Sequence, residues 1–470
     1  LVSTEVRVTK KDARTSKPVP DTTFGFYTKD NIYDKDGNVI LKAGSKITKV
    51  KTDKDGKAII PFPVPVMGER YGDNYFLEEN ISDSYYISEE PIFVHLEYKN
   101  QETPIVTAEA KVVNEQTEVE VDKLMIASSV EIPNCHLKIS DENGNEIVSW
   151  ITGDKDSIIV NEKLEEMGYF NFEAKMNENG NIKINGLLHD KEYVLTETKP
   201  ADGFVSATDI SFMLKLKIEK ADYLTQILIK ENEKFVPAIS NKLVMYDDTT
   251  KIEFSKTEIT GEKEIPGCEL EVTDKETGQI MDKWTSSKDK HIVEGKYVVG
   301  KTYMFTEKRP ASGFATAESV EFKISDTGNI QQVSMKDDTI KIQFSKIASD
   351  TKKLLPGAKY KVLDSKGKKV CEFTTKKKET ALNGILCAGE TYTFVEHQAP
   401  KHYKKAKNVK ITVKDTGKIQ KIKVVDERIP EVPDTPQTGY NKRIYLYVLA
   451  LLFGTGVLAK CLNVKNRYRK

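Results

Sequence analysis

The chain has 470 residues, with 72 Lys and Arg set against 72 Asp and Glu, and 38% of its residues are hydrophobic. The balanced charge excludes the net basic field of a nucleic-acid binder, and there is no acidic tail. The length accommodates several domains, and the modest hydrophobic share suits small β domains with much surface per core residue.

The chain starts at Leu1 without Met and without a charged-then-apolar leader. We therefore expect a fragment or processed form whose N-terminus, signal peptide included, precedes it. Up to about residue 430 the periodicity is that of strands. Segments such as TKIEFS (250–255), LEVT (270–273), YMFT (303–306) and VEFKI (320–324) alternate apolar and polar residues. Turns such as Asp36-Gly37, Asn143-Gly144 and Asp326-Thr327-Gly328 bound them. Residues 161–167 form the one short segment that reads as a helix. The expected class is all-β, with β-sandwiches in tandem, because the units are too long and irregular for one large solenoid.

The units are marked by an internal repeat. Lys10, Lys123, Lys256 and Lys346 are each followed ten positions later by Pro20, Pro133, Pro266 and Pro356. A Tyr-x-x-x-Glu frame comes next, as Tyr75/Glu79, Tyr193/Glu197, Tyr303/Glu307 and Tyr392/Glu396. Asn114, Asp247, Asp337 and Asp426 close the units, and the next lysine follows nine positions on (114 to 123, 247 to 256, 337 to 346). The expected domains are 1–115, 116–248 with insertions, 249–338 and 339–429. The joints hold no Gly/Ser or Pro tract, which predicts a semi-rigid series. The longer first and second units are where an elaborated binding surface is expected.

Lysine, glutamate and Asn or Asp together can form an intramolecular amide. Burial favours the neutral amine and the protonated carboxyl. The amine can then attack the side-chain carbonyl while glutamate carries protons to the leaving group. Asn114 would release ammonia; Asp247, Asp337 and Asp426 would release water. One such trio is as well explained by a surface ion pair, but four in one register are not. Asp248 and Asp338 follow Asp247 and Asp337 directly, and strand alternation lets only one of each pair face the core.

Five cysteines show no CxxC or His/Cys metal spacing, and six scattered histidines suggest no ligand set. Cys135 and Cys268 share a repeat position held by Ala358 in the fourth unit, which reads as a small buried site. Cys371 and Cys387 fall in one domain and could pair. Residues 430–436 are a Pro- and acid-rich stretch that opens a spacer segment, 430–443. An apolar run, Ile444 to Ala459, follows, with a basic end at Lys460, Lys465, Arg467, Arg469 and Lys470. That run, extendable to Leu462, approaches the roughly 20 residues of a membrane span, and the basic end would stay cytoplasmic. Residues 444–470 are thus expected to be a transmembrane helix and tail.

The motifs SKTEITGEKEIPG (255–267), YMFTEKRPASGF (303–314) and VSMKDD (333–338) carry a family resemblance. So do YVLTETKPADGF (193–204), YTFVEHQAPKHY (392–403) and LVMYDD (243–248). They resemble the Cna-B/SpaA-like, or prealbumin-like, domains of Gram-positive surface adhesins and pilins. The resemblance implies a prealbumin-like, Ig-like sandwich and autocatalytic isopeptide bonds. The implied bonds are Lys10–Asn114, Lys123–Asp247, Lys256–Asp337 and Lys346–Asp426, assisted by Glu79, Glu197, Glu307 and Glu396. The first unit departs from the pattern: Ser82 stands where the others have Pro200, Pro310 and Pro400, and Tyr85-Tyr86 replaces Gly-Phe. Residues 435–439 (TPQTG) resemble a sortase sorting signal with Pro436, Thr438 and Gly439, cut between Thr438 and Gly439. Thr435 stands where the usual signal has Leu.

The expectation is a non-enzymatic, cofactor-free surface adhesin or stalk, extracellular and attached to peptidoglycan. Its partners would be sortase, peptidoglycan, and a host or matrix protein or glycan; the membrane would hold it only before sorting. The alternatives are a basal or tip pilus subunit and the stalk of a cell-wall enzyme whose catalytic domain lies outside this sequence. The lack of a Tyr-Pro-Lys-type motif argues against a polymerising pilin.

Overall fold

The computed structural model describes residues 3–431, except 35, 65–72, 98, 99, 101, 127, 129, 220 and 221. Residues 432–470 lie outside the described residues; they hold most of the spacer, the expected sorting signal with Pro436, Thr438 and Gly439, and the apolar run. Among the described residues no helix is long and apolar enough to cross a membrane. The chain separates into two compact units. One comprises Leu1–Thr257, Lys263–Glu307 and Glu318–Met335; the other comprises Glu258–Glu262, Lys308–Ala317 and Lys336–Lys470.

Alternation in the sequence becomes a two-faced strand in the fold. The opening strand of each sandwich turns two apolar residues and then the repeat lysine inward. These are Val6, Val8 and Lys10 on Ser3–Asp12, and Val119, Val121 and Lys123 on Glu118–Met125. Ile252, Phe254 and Lys256 on Lys251–Glu258, and Ile342, Phe344 and Lys346 on Ile342–Ala348, repeat the order. The closing strands run Ala110-Val112-Asn114, Leu243-Met245-Asp247, Val333-Met335-Asp337 and Ile422-Val424-Asp426 on their buried faces. Each core thus ends in one polar layer.

Every sandwich packs a sheet containing the opening and closing strands against a second sheet containing the glutamate strand. In the first, Lys57–Ile59, Ser3–Asp12 and Ile105–Asn114 face Lys46–Lys51, Thr23–Thr28, Asp73–Asn80 and Ile92–His95. Opening and closing strands pair in parallel with one offset. Lys10 lies opposite Val112 and Asp12 opposite Asn114; Lys123 lies opposite Met245 and Met125 opposite Asp247. Lys346 lies opposite Val424, and Ala348 opposite Asp426. The lysine is therefore a diagonal same-face neighbour of the terminal side chain, within reach of its long stem.

The second sandwich enlarges its glutamate sheet to seven strands. Its long Glu-to-Asp segment forms the hairpin Ile210–Glu219 and Asp222–Glu231, extended by Lys234–Pro237. Ile210, Ile229, Ala238, Ile239 and Tyr246 line a cleft of about 520 Å³ beside this addition. Residues 161–167, expected to be helical, instead form consecutive turns. Their bonds mix spacings, with Leu164 N to Asn161 O and Met167 N to both Lys163 O and Leu164 O, so no regular ladder develops.

Candidate functional site

In the second sandwich Lys123, Glu197 and Asp247 are buried together. Lys123 Nζ donates to Asp247 Oδ1 and stands 3.1 Å from Glu197 Oε1. In the fourth, Lys346 Nζ donates to Asp426 Oδ1, to Glu396 Oε2 at 3.0 Å and to Tyr360 Oη at 2.7 Å. In the third, Lys256 Nζ lies 3.1 Å from Glu307 Oε1, and buried Asp337 ends its strand at the equivalent position. Asp248 and Asp338, the second aspartates, instead hold Lys251 and Lys341 at the surface side of the strand.

The first sandwich corrects one expected residue. Glu78, not Glu79, meets the lysine: Lys10 Nζ is 2.7 Å from Glu78 Oε1, with both side chains fully buried. On Asp73–Asn80 the inward residues are Asn74, Phe76 and Glu78. Tyr75 and Glu79 therefore point the other way by strand alternation. Glu79 accepts a hydrogen bond from Tyr27 Oη at 2.7 Å and pairs with Lys46. Asn114 Nδ2 donates to Glu78 Oε2 at 2.6 Å and to Tyr86 O at 2.5 Å. A signal for the right residue was present in the sequence. Tyr85, Phe204, Phe314 and Tyr403 occupy equivalent bridge positions, and the glutamate lies seven residues before each.

Burial sets the electrostatics, since it disfavours every charged form. It lowers Lys10 to about 8 against the pull of Glu78. It raises the Asp247 carboxyl to about 7 and that of Asp426 to about 6, although the facing lysine opposes both. Buried ion pairs of this kind contribute little net stability, because desolvation offsets their attraction. Asp426 Oδ2 and Asn114 Oδ1 are buried without a hydrogen-bond partner, an arrangement that itself costs free energy.

Three features escaped sequence reasoning. A backbone N–H ten residues downstream holds the glutamate: Ser88 N to Glu78 Oε2 at 2.6 Å, Ala207 N to Glu197 Oε2 at 2.7 Å, and Ala406 N to Glu396 Oε2 at 2.7 Å. Cys135 is not only a small core residue. Its Sγ lies 3.9 Å from Asp247 Oδ2, and burial pushes the thiol up to about 12. Tyr360 gives the fourth site a hydroxyl where the second has Leu137. Cys371 and Cys387 do not form a disulfide; Cys387 lies 3.1 Å from Ser312 Oγ instead.

Comparison with known proteins adds the family. No curated protein matches the chain. Among solved structures, the Bacillus anthracis TIE protein is 14% identical over 87% of this chain and 69% of its own, with a TM-score of 0.32. The shaft pilin SpaA of Lactobacillus rhamnosus GG is 16% identical over 39% of this chain and 99% of its own, with a TM-score of 0.23. A streptococcal ancillary pilin is 14% identical over 67% and 99%, again with a TM-score of 0.23. Likenesses this distant carry no functional argument. The family model for the SpaA prealbumin-like fold domain matches residues 4–111, 250–339 and 340–428. These matches span more than half of the chain, which therefore belongs to the SpaA prealbumin-like domain family.

Proposed function

We propose that the chain is a cell-surface stalk, extracellular and anchored to peptidoglycan, whose sandwiches are closed by Lys–Asn/Asp isopeptide bonds. The observation that carries this reading is the recurrence of lysine and glutamate in the polar end layer of each core, with an Asn or Asp ending the closing strand. Four isolated ion pairs would not keep the same core layer, since each is costly to bury.

The chemistry follows from the first site. Glu78 turns Oε1 to the lysine nitrogen and Oε2 to the Asn114 amide nitrogen. Glu78 takes a proton from Lys10, and the neutral amine attacks Cγ of Asn114. The C–N bond to the amide nitrogen breaks as Glu78 delivers that proton to it, ammonia leaves, and Glu78 takes the second proton from the former lysine nitrogen, which leaves a neutral amide. At Asp247, Asp337 and Asp426 a carboxyl oxygen leaves as water. The product is uncharged, which relieves the burial cost of the starting groups.

Mechanics give the bond its use. Tension entering one terminal strand passes through the covalent bridge to the other, so the sandwich is not pulled open. Attachment would use Pro436, Thr438 and Gly439, with sortase joining Thr438 to a wall amine. Tandem mass spectrometry of a protease digest tests the proposal: it expects a Lys123 peptide joined to an Asp247 peptide. Recovery of both only as separate linear peptides would overturn it.

A further inference from the structure

The loop that holds Glu197 also carries the joint to the third sandwich. Ala207 N donates to Glu197 Oε2 at 2.7 Å, and the preceding Ser206 N donates to Asp326 Oδ1, in a turn of the third sandwich, at 2.8 Å. Two further bonds fix the same loop: Val205 N to Asp248 O at 3.0 Å and Thr250 N to Gly203 O at 2.9 Å. Gly203 has φ +90°, and a Cβ there would sit 2.2 Å from Gly295 O. Only glycine permits that approach.

The next joint repeats the device. Thr316 N donates to Asp415 Oδ1 at 2.8 Å, and Ala315 N donates to Asp338 O at 3.0 Å. Gly313, at φ +88°, would clash at 2.3 Å with Gly384 O. The two aspartates occupy matching Asp-Thr-Gly turns, 326–328 and 415–417. At the equivalent position the fourth sandwich has His402, with φ +68°.

We propose that Asp326 is a positioning residue for Glu197, so that closure of the Lys123–Asp247 bond depends on docking of the third sandwich. This rests on the isopeptide reading above. The two donors sit on adjacent peptide units joined at Ser206: when Asp326 fixes Ser206, the N–H of Ala207 is aimed at Glu197 Oε2. Without that anchor the loop samples other positions and the glutamate loses the donor that orients it. The Lys123–Asp247 bond then locks the second sandwich only after the third is seated.

The test uses the full chain, refolded from inclusion bodies and sampled over time for the Lys123–Asp247 and Lys346–Asp426 cross-linked peptides. Asp326→Ala should slow Lys123–Asp247 closure by about three- to tenfold, the effect of one hydrogen bond of ordinary net strength. Gly203→Ala should slow it too, while Asp326→Asn, which keeps the accepting oxygen, should recover most of the rate. Lys346–Asp426 closure should be unchanged throughout. Equal closure in Asp326→Ala and the wild type would overturn the inference and leave the bond chemistry standing. So would parallel slowing at Lys346–Asp426, or failure of Asp326→Asn to recover, since both indicate general misfolding. A wild-type chain with no Lys123–Asp247 bond would remove both proposals.

Discussion

Lys10 Nζ stands 2.7 Å from Glu78, whereas Glu79 faces the opposite side of the same strand and holds Lys46. The pair separates two adjacent glutamates into an interior and a surface role. Glu78→Ala should abolish the Lys10–Asn114 cross-link and its ammonia loss, and Glu79→Ala should leave both intact. Peptide mapping of the two variants reads the difference, and the reverse pattern would refute the assignment.

Stability should follow closure. Glu396→Gln keeps the shape of the side chain but removes the proton carrier, leaving Lys346 and Asp426 unjoined. An open loop of about 80 residues forfeits about 4.5 kcal/mol in the chain-entropy model. Urea unfolding followed by a probe in the fourth sandwich should show a loss of that order. A loss below about 1 kcal/mol would mean that no bond had closed the wild-type loop.

The pH dependence of closure should differ among sites, because their proton inventories differ. Neutral Lys10 with protonated Glu78 holds as many protons as the ion pair, so internal transfer reaches the reactive form. Above about 8 the buried Lys10 has lost its proton to solvent and the carrier has none to deliver. At Asp247 two carboxyls face one ammonium, and the reactive form needs one proton more than the fully ionised trio. Asp247 retains that proton only below about 7, and Asp426 only below about 6. Closure on refolding should therefore fall with rising pH first at Asp426, then at Asp247, and last at Asn114. Rates that climb together from pH 6 to 9 would contradict this.

The same carboxyl shifts bear on the unreacted fold. Asp247 is raised above its ordinary range, so the folded state binds a proton that the unfolded state has released between about 4 and 7. A Lys123→Met chain, which cannot close that bond and keeps both the burial and the Glu197 side chain that raise Asp247, should gain stability as pH falls from 8 to 5. Thermal melts at the two values should show the higher midpoint at pH 5; a higher midpoint at pH 8 would be the wrong sign.

Asn and Asp should be interchangeable as acceptors. Asp426→Asn replaces water by ammonia as the leaving group, as at Asn114, and the cross-link should persist. The mass lost at that site should change from about 18 to about 17 Da. Complete loss of the bond would show that the fourth site requires a carboxyl.

The fold was legible because strand alternation and turn residues agree over the whole described chain, and the repeat places lysine on the core face. Asp247 over Asp248 was legible for the same reason, since the register from the preceding lysine selects the inward residue. Glu78 was not: the Tyr-x-x-x-Glu frame selects Glu79, and aligning Tyr75 with Tyr193 chose the wrong face. Residues 161–167 carried helical spacing without enough length to nucleate a helix, so turns prevailed. The hydrogen bonds from Ala207 to Glu197 and from Ser206 to Asp326 join residues through backbone donors, which side-chain patterns do not encode.

Intact mass of the folded chain tests the central claim most directly. One bond in each sandwich predicts a mass about 71 Da below that of the sequence, from one ammonia and three waters. The deficit should be absent from the same chain carrying Glu78→Ala, Glu197→Ala, Glu307→Ala and Glu396→Ala together. A well-folded wild-type chain at the full sequence mass would contradict the account.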